Sequence, residues 1–146
     1  MAVPPISPTI LCVDDSEGHL KILELSLGAH HYQVELARNG HEALTMLESL
    51  TPNLIILDID MPFMNGLELA TRIRRIQRFN GVPIVVMTSQ VRDDQREKAE
   101  AAGVDLLLHK PMQGKNLAGL VTDLMRAGRE VDSAPAESES GEPSGS

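Results

Sequence analysis

Leu54-Ile55-Ile56-Leu57-Asp58 is the stretch that decides the fold. Four consecutive apolar residues leave no position for solvent, so a strand here is buried on both faces, as strands of a parallel sheet are. An acid closes it. The same syntax repeats outward along the chain: Thr9 to Val13 runs into Asp14 and Asp15, Ile84 to Met87 into Thr88 and Ser89, Leu106 to Leu108 into His109 and Lys110, and Gln33 to Leu36 into Ala37. Between these runs the apolar residues recur at helical spacing, as in Leu20, Leu23 and Leu27, or Leu67, Ala70 and Ile73, or Leu117, Leu120 and Leu124. Such spacing predicts amphipathic helices packed on a sheet. Arg92 to Ala102 is polar on most faces, and with Gly103 behind it suits an exposed helix with a C-terminal stop. Parallel neighbours need crossovers, so five strand–helix alternations predict an α/β fold: a doubly wound, five-stranded parallel sheet in the order 2-1-3-4-5.

Composition bounds what such a fold does. At 146 residues there is room for one compact core, and 42% hydrophobic with 23% charged residues is an ordinary globular balance. One Tyr, two Phe and no Trp leave no stacking platform for unpaired bases. Thirteen basic against 21 acidic residues give −8, which opposes binding to duplex backbones and anionic membranes. The single cysteine, Cys12, lies within an apolar run and reads as a buried thiol of a reducing compartment. Residues 1–8 form a short extension without the signature of a secretion signal, no run is long enough to span a bilayer, and the expected location is cytoplasmic. From Arg129 the composition turns to Ser, Pro, Gly and acids, so the folded domain is expected over 9–128 and a disordered acidic tail over 129–146.

In a parallel sheet the ligand crevice lies beyond the carboxyl ends of the strands. Here those ends deliver Asp14, Asp15, Asp58, Thr88 and Lys110 to one rim. Like carboxylates ~4 Å apart repel by ~4 kcal/mol at an effective dielectric of ~20, so a cation is required between them. An all-oxygen donor set favours a hard ion that keeps its waters, and Mg2+ fits best. Lys110 adds a compact positive charge and Thr88 a hydroxyl donor, which suits a tetrahedral oxyanion such as a phosphoryl group. A carboxylate in that company is itself a nucleophile toward phosphorus, with Asp58 the candidate.

These residues resemble the receiver domains of two-component response regulators, over about Thr9 to Met125. The matching motifs are Asp14-Asp15, Asp58 with Met61-Pro62 and Gly66, Thr88-Ser89 and Lys110-Pro111, with Ala37, Asn39-Gly40 and Ala43-Leu44 resembling the family's second crossover. The resemblance implies a flavodoxin- and CheY-like fold and a phosphoprotein in which Asp58 accepts a phosphoryl group from a histidine. It implies a Mg2+ site of Asp14, Asp15, Asp58 and Asp60, in which Asp15 binds directly, Asp14 acts through a water, and Asp60 contributes its backbone carbonyl. Thr88 would move toward the phosphoryl oxygen, Lys110 would pair with it, and the Lys110-Pro111 peptide would be cis. The implied partners are a sensor histidine kinase or histidine phosphotransfer protein, docking chiefly against the first helix around Leu20 to Leu27, and a downstream protein target. A stand-alone regulator acting through another protein is expected, and homodimerisation is left open.

Three positions depart from the family pattern. Leu107 stands where an aromatic usually sits, Met112 follows the proline in place of a frequent Phe, and Asp60 adds a carboxylate two residues past the nucleophile. The first two remove the usual aromatic switch; Asp60 and Gln90 are expected to tune the lifetime of the acyl phosphate. Two other functions compete. Asp58-Ile59-Asp60 is an Asp-x-Asp, as in haloacid dehalogenase-type phosphatases, although that class places it on the first strand; a phosphorylation-independent scaffold is the third reading. Among the histidines, His30 and His31 suit a helix C-terminus. His19 and His41 are expected to be solvated, and His109 should point away from Lys110.

Overall fold

The structure is a computed structural model that describes residues 8–90, 92–110 and 114–127. The expected acidic tail, all of the N-terminal extension but Pro8, the Lys110-Pro111 peptide and Met112 lie outside the described residues. Eleven elements follow in order: β1 (Thr9–Val13), α1 (Glu17–Gly28), β2 (Gln33–Ala37), α2 (Gly40–Met46), β3 (Leu54–Asp58), α3 (Gly66–Arg74), a 3-10 turn (Gln77–Phe79), β4 (Ile84–Thr88), α4 (Asp93–Ala101), β5 (Leu106–His109) and α5 (Gly114–Ala127). All sheet pairings are parallel and the strand order is β2-β1-β3-β4-β5, the order expected from the alternation.

Strand side chains alternate between faces, and the core divides accordingly. Leu11, Val13, Ile55, Leu57, Ile84 and Val86 point to the side of α2 and α3, where Leu69, Ile73 and Phe79 are fully buried. Ile10, Cys12, Leu54, Ile56, Val85 and Met87 point to the other, covered by Leu20, Leu23 and Leu27 of α1 and Leu117, Ala118 and Val121 of α5. Each such side chain withdrawn from water stabilises the fold by about 1.5–3 kcal/mol. Cys12 is buried, and burial first, then the charge of Asp14, pushes its thiol well above the ordinary range. It is an inert packing group.

Helix boundaries follow from caps. Ser16 accepts from the His19 amide at the start of α1, Asn39 from Glu42 at α2, and Asn65 from Glu68 at α3, where the Glu68 carboxylate reciprocates by accepting from the Asn65 amide. The cap of α1 is thus Ser16 and not the acid pair before it. The polar segment is helical as expected, with only Gln95 and Ala99 of α4 buried. Thr88 and Ser89 do not cap it; its first turn is closed by the Gln95 side chain, which accepts from the Arg92 amide at 3.3 Å.

Candidate functional site

Register places the chemistry. Val13 pairs with Leu57 and Asp58 with Met87, so the residues following β1 and ending β3 emerge side by side at one rim. Lys110, whose amide donates to the Thr88 carbonyl at 2.8 Å, extends β5 to the same rim. One carboxylate oxygen each from Asp14, Asp15 and Asp58 lies within 4.8 Å of the others. Lys110 Nζ stands between two of them, 3.0 Å from Asp58 Oδ1 and 3.1 Å from Asp14 Oδ2.

Asp14 and Asp58 are only 2% and 4% exposed, while Asp15 is exposed at the mouth. Asp14 Oδ1 accepts from the Ser16 amide at 2.9 Å, and Asp58 Oδ1 accepts from the Asp60 amide at 3.2 Å. Burial raises the Asp14 carboxyl above its ordinary range, against the lowering pull of the Ser16 amide and Lys110. Burial pushes the Lys110 ammonium the opposite way, yet its hydrogen bonds to Asp58 and Asp14 prevail and hold it above its ordinary value. Three converging carboxylates against one lysine leave an excess of negative charge, and every donor is a hard oxygen. The residues present therefore fit a divalent cation of the Mg2+ kind.

The loop after β3 is shaped by close approach. A Cβ on Gly66 would sit 2.4 Å from the Asp58 carbonyl oxygen, so only glycine lets α3 begin beside the strand end. Asp60 is exposed at the mouth, its Oδ2 accepting from Ser89 Oγ at 3.4 Å. Among the described residues Asp58 ends the third strand, β3, and not the first, where the phosphatase class places its Asp-x-Asp.

Thr88 is buried at the rim, but its hydroxyl is engaged with the loop beyond: it donates to the Gln90 carbonyl at 3.1 Å and accepts from the Gln90 amide at 3.2 Å. His19 lies on an exposed face as expected, yet it also reaches the acids. Although half-exposed, its Nδ1 lies 3.3 Å from Asp14 Oδ2 and 3.2 Å from Lys110 Nζ, because Asp14 and Ser16 start α1 so close to the rim that its first turn overhangs the acids. The Ser16 cap, three residues before His19, was the signal that would have found it. Of the α1 stretch expected to meet a partner, Leu20, Leu23 and Leu27 are buried, and the exposed large apolar side chains are Ile22 and Leu25, at 56% and 61% exposure. His109 is exposed and Leu107 half-buried, packed against the α3-side core.

The sequence profile described as the response regulator receiver domain matches residues 10–122. The chain is 35% identical over 129 residues to the response regulator MprA of Mycobacterium bovis, covering 88% of this chain and 55% of that protein. It is 32% identical over 121 residues to the transcriptional regulatory protein AfsQ1 of Streptomyces coelicolor, covering 83% of this chain and 52% of that one. It thus spans about half the length of the curated relatives it matches. Among solved structures, the chemotaxis protein CheY4 of Vibrio cholerae superposes with a TM-score of 0.79 at 27% identity, over 81% of this chain and 98% of that one. A CheY-like receiver domain protein of Methanospirillum hungatei gives 0.78 at 25% identity, over 84% and 96%.

Proposed function

Because the chain belongs to the response regulator receiver domain family, we propose that it takes a phosphoryl group from a phosphohistidine onto Asp58 and signals through protein–protein contact. One observation carries this reading: Lys110 grips Asp58 at 3.0 Å inside a cluster of three carboxylates confined to 4.8 Å. In the transfer the phosphorus–nitrogen bond breaks as a bond forms from an Asp58 carboxylate oxygen to phosphorus. The electron pair stays on the imidazole nitrogen, which takes up a proton. Lys110 is near enough to follow the phosphoryl oxygen, and Thr88 needs only to exchange its bond with Gln90 for one to that oxygen. Asp15 and Asp58 would hold Mg2+, with Asp14 acting through a water and Asp60 through its backbone carbonyl. When bound, the ion supplies neutralising charge for the phosphoryl oxygens.

The domain reading assigns residues 9–128 to the receiver and 129–146 to an acidic tail. The donor is a sensor histidine kinase or histidine phosphotransfer protein of the cytoplasm, meeting the chain at the rim and at Ile22 and Leu25 of α1. Its activity is that of a signalling domain, limited to phosphorylating and dephosphorylating itself. The −8 charge disfavours nucleic acid, and a protein is the downstream partner in this reading. Asp60 and Gln90, at the mouth, set how water reaches the acyl phosphate; substituting both should change its hydrolysis rate. The decisive test is acetyl phosphate with Mg2+ followed by intact mass. Wild type should gain one phosphoryl group and Asp58→Asn none, and an unlabelled wild type overturns the reading.

A further inference from the structure

The chain has two phenylalanines, and the fold treats them oppositely: Phe79 is 0% exposed in the core, Phe63 is 95% exposed. Phe63 also has a positive φ of 69° at the centre of a three-residue turn, in which the Met64 amide donates to the Pro62 carbonyl at 2.7 Å. For a bulky residue that backbone region is a true outlier, and a three-residue turn of this sense is rare and strained. The ring, left in water, contributes no burial energy to offset that strain.

The turn is firmly held all the same. Met61 and Met64 on either side are 7% and 3% exposed, anchored in the core cluster on the α3 side. Downstream, the Gly66 amide donates to the Ile59 carbonyl at 3.2 Å. The ring is therefore thrust outward from a loop tethered at both ends, five residues beyond Asp58 in the chain. Strain concentrated on one exposed residue of the loop that follows a reactive group is the pattern expected of a group preorganised for a partner.

We propose that Phe63 is an apolar anchor that inserts into a recess beside the reactive histidine of the protein that phosphorylates Asp58, an inference that rests on the phosphoacceptor reading above. Steric necessity selects that occupant. Asp58 is 4% exposed, so a histidine borne on a protein reaches it only if the donor's surface closes over the rim and the loop that links Asp58 to Phe63. A small phosphodonor needs no such cover.

That difference supplies the test. Every sensor kinase encoded in the same genome is purified, autophosphorylated with labelled ATP and mixed with the full chain, and the fastest donor is taken forward beside acetyl phosphate. Phe63→Gly removes the ring and relieves the positive φ together. It should lower the transfer rate from the kinase by about tenfold or more, leave labelling by acetyl phosphate unchanged, and raise the thermal midpoint. Phe63→Leu, which keeps an apolar knob, should retain most of the transfer, and Phe63→Asp should lose more than Phe63→Gly. The proposal is overturned if kinase transfer is unaffected, or if both donors slow equally, since the ring would then act on the site. It also fails if the substitutions abolish self-association measured by light scattering while transfer persists, which would make a second copy the occupant. Failure of acetyl phosphate to label wild type instead removes the phosphoacceptor reading and this proposal with it.

Discussion

At the amino ends of β4 and β5, Arg74 Nη2 donates to Asp105 Oδ2 at 2.9 Å, Nε to the Gly103 carbonyl at 2.9 Å and Nη1 to the Phe79 carbonyl at 2.7 Å. Asp105 Oδ2 also accepts from the Ile84 amide at 2.8 Å. At the opposite end of the same sheet, Lys110 faces both Asp14 and Asp58, with Asp15 beside them. Asp105 stands at the surface whereas Asp14 and Asp58 are buried, and the Arg74 cluster sets a cation against an anion and spends the remaining guanidinium donors on carbonyls. The Lys110 cluster sets one cation against three anions. Balanced charge ties α3 to the starts of β4 and β5; unbalanced charge around the buried Asp14 and Asp58 leaves an appetite for a cation and a phosphoryl group. The difference separates a group that serves the fold from one that serves chemistry at a cost in stability.

The contrast is most sharply tested at the balanced end. Arg74→Met removes the guanidinium from Asp105 and from the Gly103 and Phe79 carbonyls, the latter still accepting from the Val82 amide at 3.0 Å, and should destabilise the fold by about 2 kcal/mol in urea titrations. Acetyl phosphate should still label Asp58 wherever the variant is folded. Loss of labelling in a folded variant would mean that the two ends are coupled.

At the unbalanced end the same kind of change should have the opposite sign. Asp14→Asn removes one of three crowded carboxylates, so the metal-free chain should become more stable while calorimetric Mg2+ affinity falls by about 10–100-fold, the usual loss for a group acting on a metal through its inner ligands. A variant less stable than wild type would put Asp14 in the same class as Asp105.

The smallest effect is in pH. Burial holds the folded Asp14 carboxyl above its ordinary value of 3.8. Below that value the proton stays on in both folded and unfolded chains, and Asp14 does not oppose folding. As pH rises the unfolded chain releases it first, so the metal-free fold loses stability until Asp14 itself ionises. The urea midpoint of wild type should therefore fall relative to Asp14→Asn from about pH 4 upward, and Mg2+ should close the gap. Lys110, held above 10.5, keeps its own contribution throughout this range and loses it only in strong alkali. A gap independent of pH would contradict the assignment of the excess charge to Asp14.

Much of the rim was legible before any coordinates, because a parallel sheet sends every strand's carboxyl end the same way, and an acid or lysine closing an apolar run is visible by inspection. Asp14, Asp58 and Lys110 could be placed together on that ground alone. His19 could not, since its helical neighbours gave it an exposed face, and only the start of α1 close to the rim turns it onto Asp14. Thr88 was assignable to the rim but not in its bonding, because the backbone of Gln90 competes for its hydroxyl. Nor does composition distinguish Phe79 from Phe63: both follow polar or turn-forming neighbours, and one is buried while the other is expelled.

What the order of residues alone determined is the layered α/β topology and the edge at which charge collects, because strand and helix periods are local properties that survive without knowledge of any long-range contact. Which groups touch at that edge was decided only by the packed chain. The 96 positions separating Lys110 from Asp14 carry no period that announces a 3.1 Å contact. It exists because two helical layers clamp β1, β3, β4 and β5 into one register and leave Lys110 no closer counter-charge than the acids opposite it.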